Sequence, residues 1–112
     1  MTLKPDLKVM RMIKALDNPT RMQIVYLIVN SSAVSFTGIR EHLETLTGKA
    51  MSKGTLAYHL DLLVQGNILT RELSRNPDGT YSTYDITEEA KKTLTALGIL
   101  IEHEKKEPET PQ

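Results

Sequence analysis

The residues able to do chemistry in this chain are few, and their types favour contact over catalysis. There are three histidines, His42, His59 and His103, and no cysteine, which removes thiolate nucleophiles, thiolate metal sites and redox switches. The histidines fall on separate segments, no Gly-rich phosphate loop or H-E-x-x-H pattern occurs, and the Asp and Glu residues are spaced as helix-surface charges. No enzyme constellation emerges. His59 adjoins Leu56 and Leu60 and is expected at a core edge, hydrogen-bonded, while His42 reads as a surface residue. A different cluster is more suggestive. Ser52-Lys53-Gly54-Thr55, followed by Ala57 and Tyr58, gathers two hydroxyls, an ammonium and a phenol around one glycine, groups suited to hydrogen-bonding a partner. Arg71 and Arg75 alternate further along, and Arg40 and Lys49 precede the cluster.

Length and charge bound what these groups can serve. With 112 residues there is room for one core, too little for a cofactor domain beside a substrate domain, and no cofactor is implied. Apolar residues make up 39% and charged residues 25%, an ordinary globular balance, and no apolar run reaches the roughly 18 residues of a membrane span. The stretch MTLKPDLKVM has neither the apolar run nor the cleavage site of a secretory signal, so a cytoplasmic protein without a membrane partner is expected. Net charge is zero but unevenly spread. Residues 1 to 75 carry ten Lys/Arg against six Asp/Glu, whereas residues 76 to 112 carry four against eight. A basic half can face phosphates while an acidic end stays in solvent.

The elements that must hold these groups follow from apolar spacing. Leu7, Met10, Ile13 and Leu16 recur every third residue, one stripe of a helix beginning near Pro5 and Asp6, widened by Val9 and Met12. Asp17-Asn18-Pro19 punctuates, and the next helix is apolar around most of its circumference, the expected buried centre. Val34-Ser35-Phe36 is a short extended stretch, and Thr37 is placed to cap a third helix with Ile39, Leu43 and Leu46 inward and Arg40 outward. Ser52 caps a fourth helix, with Leu56, Leu60 and Leu63 inward and Gly66 expected to close it in the left-handed conformation. Alternation through Ile68, Leu69, Arg71, Leu73 and Arg75, the turn Asn76-Pro77-Asp78-Gly79, and Tyr81, Tyr84 and Ile86 make a β-hairpin. Thr87-Glu88-Glu89 opens a last helix carrying Ala90, Leu94, Leu97, Leu100 and Ile101, and residues 104–112 are expected to be a disordered tail. The predicted fold is mainly α with a small β-hairpin, in the order α-α-(short β)-α-α-β-β-α. That order is a winged helix-turn-helix domain, here over residues 5–103, with the hairpin as the wing.

Ala15-Leu16-Asp17-Asn18-Pro19-Thr20-Arg21 resembles the opening signature of the arsenic-repressor-type (ArsR-type) winged-helix regulators. Ser52-Lys53-Gly54-Thr55-Leu56-Ala57-Tyr58-His59-Leu60, with Leu63 and Gly66 after it, resembles that family's recognition helix and its exit. The likeness covers roughly residues 10 to 97 and implies a transcription regulator that binds double-stranded DNA. Within it, the N-terminal half of the recognition helix meets the groove, because free amides and the positive dipole end approach phosphates there. Ser52, Lys53 and Thr55 then suit phosphates, Tyr58 suits a base edge, a thymine methyl or a phosphate, and Gly54 permits close approach, with Ala57 beside it. The alternative is that Ser52 only caps, Lys53 is only solvated and Gly54 is neutral. Arg71 and Arg75 suit a minor groove or backbone, or else sit on a solvated hairpin face. Arg40 and Lys49 are further phosphate candidates, Lys49 the better placed through its glycine-bearing loop. The resemblance suggests looking for a metal site, but its cysteine motif has no counterpart, and of paired ligands on the last helix only His103 with Glu107, at i and i+4, offers half of a zinc site between subunits, so no metal is expected.

Apolar surplus on the terminal helices points to a homodimer. Leu3, Leu7, Val9 and Met12 at one end and Leu97, Leu100 and Ile101 at the other exceed what one core face needs, and a two-fold axis would set two recognition helices roughly 34 to 36 Å apart on a pseudo-palindromic site. Packing of the C-terminal set within one monomer is the alternative. The rival function is a winged helix used for protein contacts, favoured by zero net charge and by Asp61 on the same helix. No residue identifies a small-molecule effector or separates repressor from activator.

Overall fold

In a computed structural model that describes residues 1–102, the chain runs α1 (Leu7–Leu16), α2 (Pro19–Ser31), β1 (Val34–Ser35), α3 (Phe36–Thr47), α4 (Lys53–Gln65), β2 (Leu69–Asn76), β3 (Gly79–Ile86) and α5 (Glu88–Ala96). The order is the one expected of a winged helix-turn-helix. His103 and the proposed tail over 104–112 lie outside the described residues.

Each helix starts where a short polar side chain accepts a free amide. Asp6 Oδ1 takes the amides of Lys8 and Val9 at 3.0 and 3.2 Å, and Asn18 Oδ1 takes that of Arg21 at 3.1 Å with Pro19 just inside the helix. Ser52 Oγ takes the Thr55 amide at 3.1 Å, and Thr87 Oγ1 that of Ala90 at 3.0 Å. α3 departs from expectation. Its cap is Ser35, whose hydroxyl accepts from Gly38 at 3.0 Å, so Phe36 is already helical and Thr37 is not the cap. Val34 and Ser35 pair with Tyr84 and Thr83, which makes the hairpin a three-stranded antiparallel sheet of order β1-β3-β2.

Two helix ends are Schellman motifs, in which a left-handed residue lets the chain turn back on its last carbonyls. α4 ends with Asn67 amide to Val64 oxygen and Ile68 amide to Leu63 oxygen, both at 3.0 Å. The left-handed residue is Asn67, at φ 58°, whereas Gly66 sits at φ −77°. Gly66 is needed for another reason. A Cβ there would lie 3.0 Å from Ala15 Cβ and 3.3 Å from the Leu62 oxygen, so glycine permits α1 to close on α4. α5 ends the same way at Gly98, φ 77°, with Gly98 amide to Thr95 oxygen at 3.1 Å and Ile99 amide to Leu94 oxygen at 2.9 Å. The last helix therefore stops before Leu100, which folds back into the core.

The core is built where the helices converge on the sheet. Ile24, Val25 and Ile28 of α2, Ile39 and Leu43 of α3, and Leu56, Leu60 and Leu63 of α4 are buried together with Ile68, Leu69, Tyr84 and Leu94. Leu46, expected inward, is 53% exposed. α1 turns most of its three-residue stripe away from the core. Met12, Ala15 and Leu16 face the core, Met12 with no exposed surface, while Leu7, Met10 and Ile13 are 63%, 54% and 46% exposed. The Ala15 to Gly66 contact sets that orientation: small residue against glycine is where two helices approach most closely, and the bulky stripe is left outside.

Candidate nucleic-acid interface

α3 and α4, joined through Gly48 and the loop to Ser52, form the helix-turn-helix, and α4 presents its N-terminal turn to solvent. Ser52, Lys53, Gly54 and Thr55 are exposed and Tyr58 is 60% exposed, whereas Ala57 is half-buried at the edge of the face. Ser52 does two jobs: its oxygen accepts the Thr55 amide and its hydroxyl donates to Thr55 Oγ1 at 2.8 Å. The amides of Lys53 and Gly54, in the first turn, have no partner within the helix. Gly54 meets no atom within 4 Å of a Cβ position and has no positive φ, so nothing inside the chain requires glycine there.

The wing places its cations beside this face. Leu69, Arg71, Leu73 and Arg75 alternate onto one side of β2, the side whose base is buried through Leu69 and through Tyr84 opposite Arg71, with Ile86, the partner of Leu69, half-buried. Past that buried base the side continues as Arg71, Leu73 and Arg75, all exposed. Arg71 Nη1 lies 3.6 Å from Asp61 Oδ1 of α4, the one ion pair among the described residues. With both side chains half exposed, that pair adds little stability, but it marks how near the wing comes to α4. At the tip, the Asp78 amide donates to Asn76 Oδ1 at 3.0 Å and Gly79 takes φ 133°, closing the two-residue turn.

Arg40 has a structural task that its sequence position did not reveal. Its Nε donates to the Met51 oxygen at 2.8 Å, tying α3 to the residue just before the α4 cap. It is half-buried, and this bond, made by Nε alone, positions the loop. Lys49, in contrast, is exposed on that loop.

His59 sits on the inner flank of α4, and its ring is 5.7 Å from that of Tyr58. Arg21 of α2 reaches across: its Nε donates to the Ala15 oxygen and its Nη1 lies 3.1 Å from His59 Nδ1. Arginine can only donate, so Nδ1 must accept and the imidazole is neutral with its proton on Nε2. Burial, and then the Arg21 guanidinium, hold the His59 pKa below its usual 6.5. The expected hydrogen-bonded histidine is thus a clasp that fixes α4 against the end of α1 and the start of α2. Arg21, which sequence reasoning assigned no task, is the residue that makes it.

Among the described residues no cluster of three or more His, Asp or Glu gathers as a metal site, and no helix is long and apolar enough to cross a membrane. Of the residues assigned to a dimer face, Leu3, Leu7, Leu97 and Ile101 are exposed, at 90%, 63%, 48% and 82%. Met12 and Leu100 belong to the core instead, and Val9 is half-buried.

No protein-family model and no curated protein sequence matches the chain. Solved structures do. An ArsR family transcriptional regulator superposes with TM-score 0.62 over 88% of this chain and 90% of its own at 14% identity. The reduced transcriptional regulator YodB of B. subtilis gives 0.64 over 88% and 86% at 19% identity. A protein of Mycobacterium bovis described as a possible transcriptional regulatory protein gives 0.59 over 82% and 88% at 28% identity. The likeness to ArsR-type regulators first seen in two short motifs therefore holds for the backbone: this chain has the winged helix-turn-helix fold of ArsR-type transcriptional regulators.

Proposed function

We propose that this chain is a cytoplasmic transcription regulator that binds double-stranded DNA sequence-specifically as a homodimer, acting as a repressor on a pseudo-palindromic operator. The observation that carries the reading is the shared face of α4 and the wing: an exposed capped helix N-terminus with Arg71 brought to within 3.6 Å of an α4 side chain. Lys53, Thr55 and the Ser52 hydroxyl serve phosphates, with the free α4 amides beside them. Tyr58 reads a base edge or thymine methyl, Ala57 packs at the groove wall, and Gly54 lets the backbone approach the DNA. Arg71 and Arg75 enter the flanking minor groove or its backbone, and Lys49 adds a phosphate contact. The two structures named as transcriptional regulators share this fold, which supports the class of function.

The dimer face is the exposed stripe Leu7, Met10 and Ile13 of α1 with Leu3, Leu97 and Ile101. It borders a groove walled by Met10, Ile13, Leu16, Met22 and Ile99, with the charged Lys14 and Asp17 also in its lining. A second copy on it would remove that surface from water and duplicate the recognition helix. Selection of bound sequences from random duplexes tests the assignment. Lys53→Ala should weaken all binding, and Tyr58→Ala should alter the preferred sequence; no effect from either would remove these roles. A winged helix devoted to protein contacts is the second reading, favoured by Asp61, which already engages Arg71. Wild-type affinity for duplex DNA that falls steeply with salt rejects it, and absence of binding at low salt supports it.

A further inference from the structure

A second basic surface lies beside α4, away from the wing. The C-terminal half of α1, the first turn of α2 and the outer flank of α4 enclose an open groove of about 670 Å³, walled by Arg11, Lys14, Arg21, Tyr58, Leu62 and Gln65. Its walls carry three cations and no carboxylate. The one ion pair among the described residues is Arg71 with Asp61, so none of the three cations has a carboxylate within ion-pair distance. Arg21 spends donors on the Ala15 oxygen and His59, which leaves part of its five-donor fork free. A concave surface lined by one sign of charge concentrates potential and draws counter-ions of the other sign.

Position gives the groove its meaning. Successive residues of a helix stand about 100° apart, so the exposed Asp61, which touches the wing, and the half-buried Leu62, which walls the groove, mark different flanks of α4. Tyr58, placed at the DNA surface above, opens onto the groove. A helix lying in the major groove, about 12 Å wide, has a phosphate strand on either side. The wing accounts for one.

We infer that the groove between α1, α2 and α4 is a phosphate-binding site, and that its occupant is the DNA backbone on the flank of the recognition helix away from the wing. This rests on the DNA-binding reading and adds Arg11 and Lys14, with Arg21, to its contacts. Arg11 and Lys14 are exposed and replaceable without loss of core.

The test compares wild type, Arg11→Gln/Lys14→Gln, and a charge-matched control, Lys91→Gln/Lys92→Gln, which changes α5. Affinity for the selected duplex and for random duplex is measured across salt concentration. Each lost phosphate contact removes about 0.9 from the slope of log affinity against log salt, so the α1 double variant should lose roughly 2 per protomer. It should lose affinity equally on both duplexes and keep the preferred sequence, while the α5 control keeps the wild-type slope. An unchanged slope in the α1 variant, or an equal change in both variants, overturns the proposal while leaving DNA binding intact. Calorimetry with inorganic phosphate and no DNA supplies the other arm. Tight binding abolished by Arg11→Gln/Lys14→Gln, with an unchanged DNA slope, would assign the groove to a free anion and overturn the backbone occupant. Wild type that binds no duplex at low salt overturns the function itself.

Discussion

Replacing Gly66 with alanine isolates the contact that sets α1 against α4. The backbone at φ −77° accepts any L-residue, so conformational strain does not enter, and the cost is purely steric. The added Cβ would stand 3.0 Å from Ala15 Cβ and 3.3 Å from the Leu62 oxygen. Carbon atoms pack best at about 3.5–4.0 Å, so the site is short by roughly half an ångström or more. Neither neighbour can swing aside, since one is the stub of an alanine and the other is helix backbone. Overpacking of this kind costs about 1–3 kcal/mol, and restricting the unfolded chain returns about 0.4–1 kcal/mol, which leaves a net loss near 1–2 kcal/mol. In a domain of this size that is a fall of roughly 4–15 °C in Tm. Urea and thermal unfolding at one fixed protein concentration measure it, because dimerisation would make stability concentration-dependent. The decisive arm is the Ala15→Gly background, where the opposing methyl is gone and only the 3.3 Å approach to the Leu62 oxygen remains, so Gly66→Ala should cost markedly less there. Equal cost in both backgrounds, or a Gly66→Ala protein as stable as wild type, would refute the steric account.

Other predictions follow from the same contacts. Gly54→Ala, at a helical glycine with open space around it, should raise stability by up to about 1 kcal/mol yet weaken DNA binding, read by unfolding and by anisotropy on one sample. Asp61→Asn should free Arg71 and remove an anion from the DNA face, tightening binding and steepening its salt dependence with stability changed by under about 1 kcal/mol. His59 titrates lower in the folded state, so the unfolded chain binds its proton more readily. Stability should hold above about pH 6.5 and fall as pH drops through that value toward the lowered folded pKa, and His59→Gln should flatten the urea midpoint across that window. Ile13→Glu, at a 46% exposed position, should leave the fold intact and turn dimer into monomer by sedimentation, whereas Met12→Ala should cost about 2–5 kcal/mol as a core deletion.

Element order and most of the core were legible because local signals agreed with one another. Ser52 before Leu56, Leu60 and Leu63, and Asn76-Pro77-Asp78-Gly79 between alternating runs, each state a start or a turn with its own chemistry. What misled was spacing without direction. Leu7, Met10 and Ile13 recur at every third residue, but periodicity says that a stripe exists, not which side the rest of the protein occupies. The orientation of α1 depends on Ala15 meeting Gly66, a contact between residues far apart in the chain. Gly98 was a local signal left unused: it stops α5 and sends Leu100 inward, although Leu97, Leu100 and Ile101 carry a helical spacing. Arg40 and Arg21 were beyond reach for another reason. An arginine that clasps a carbonyl elsewhere in the fold has the same one-letter appearance as one waiting for a phosphate.

That distinction bears on how an electrically neutral chain can hold DNA. Counting charges gives zero, yet the cations are not equivalent, because Arg40 and Arg21 spend donors on positioning while Lys53, Lys49, Arg75, Arg11 and Lys14 are exposed without an ion-pair partner among the described residues. Arg71 lies between these groups, shared with Asp61 until a stronger anion competes for it. The acidic excess lies past residue 75, and in the described structure Glu89 is occupied in accepting from Asn67 Nδ2 at 2.8 Å beneath the wing. A single recognition helix with a small set of cations around it still gains from the two-fold copy in the proposed binding. Doubling the contacts through one apolar interface multiplies the binding of a single recognition helix, provided both helices can engage one duplex at once. A monomer locked by Ile13→Glu should therefore lose far more than half of the salt-dependent binding, since each site would act alone.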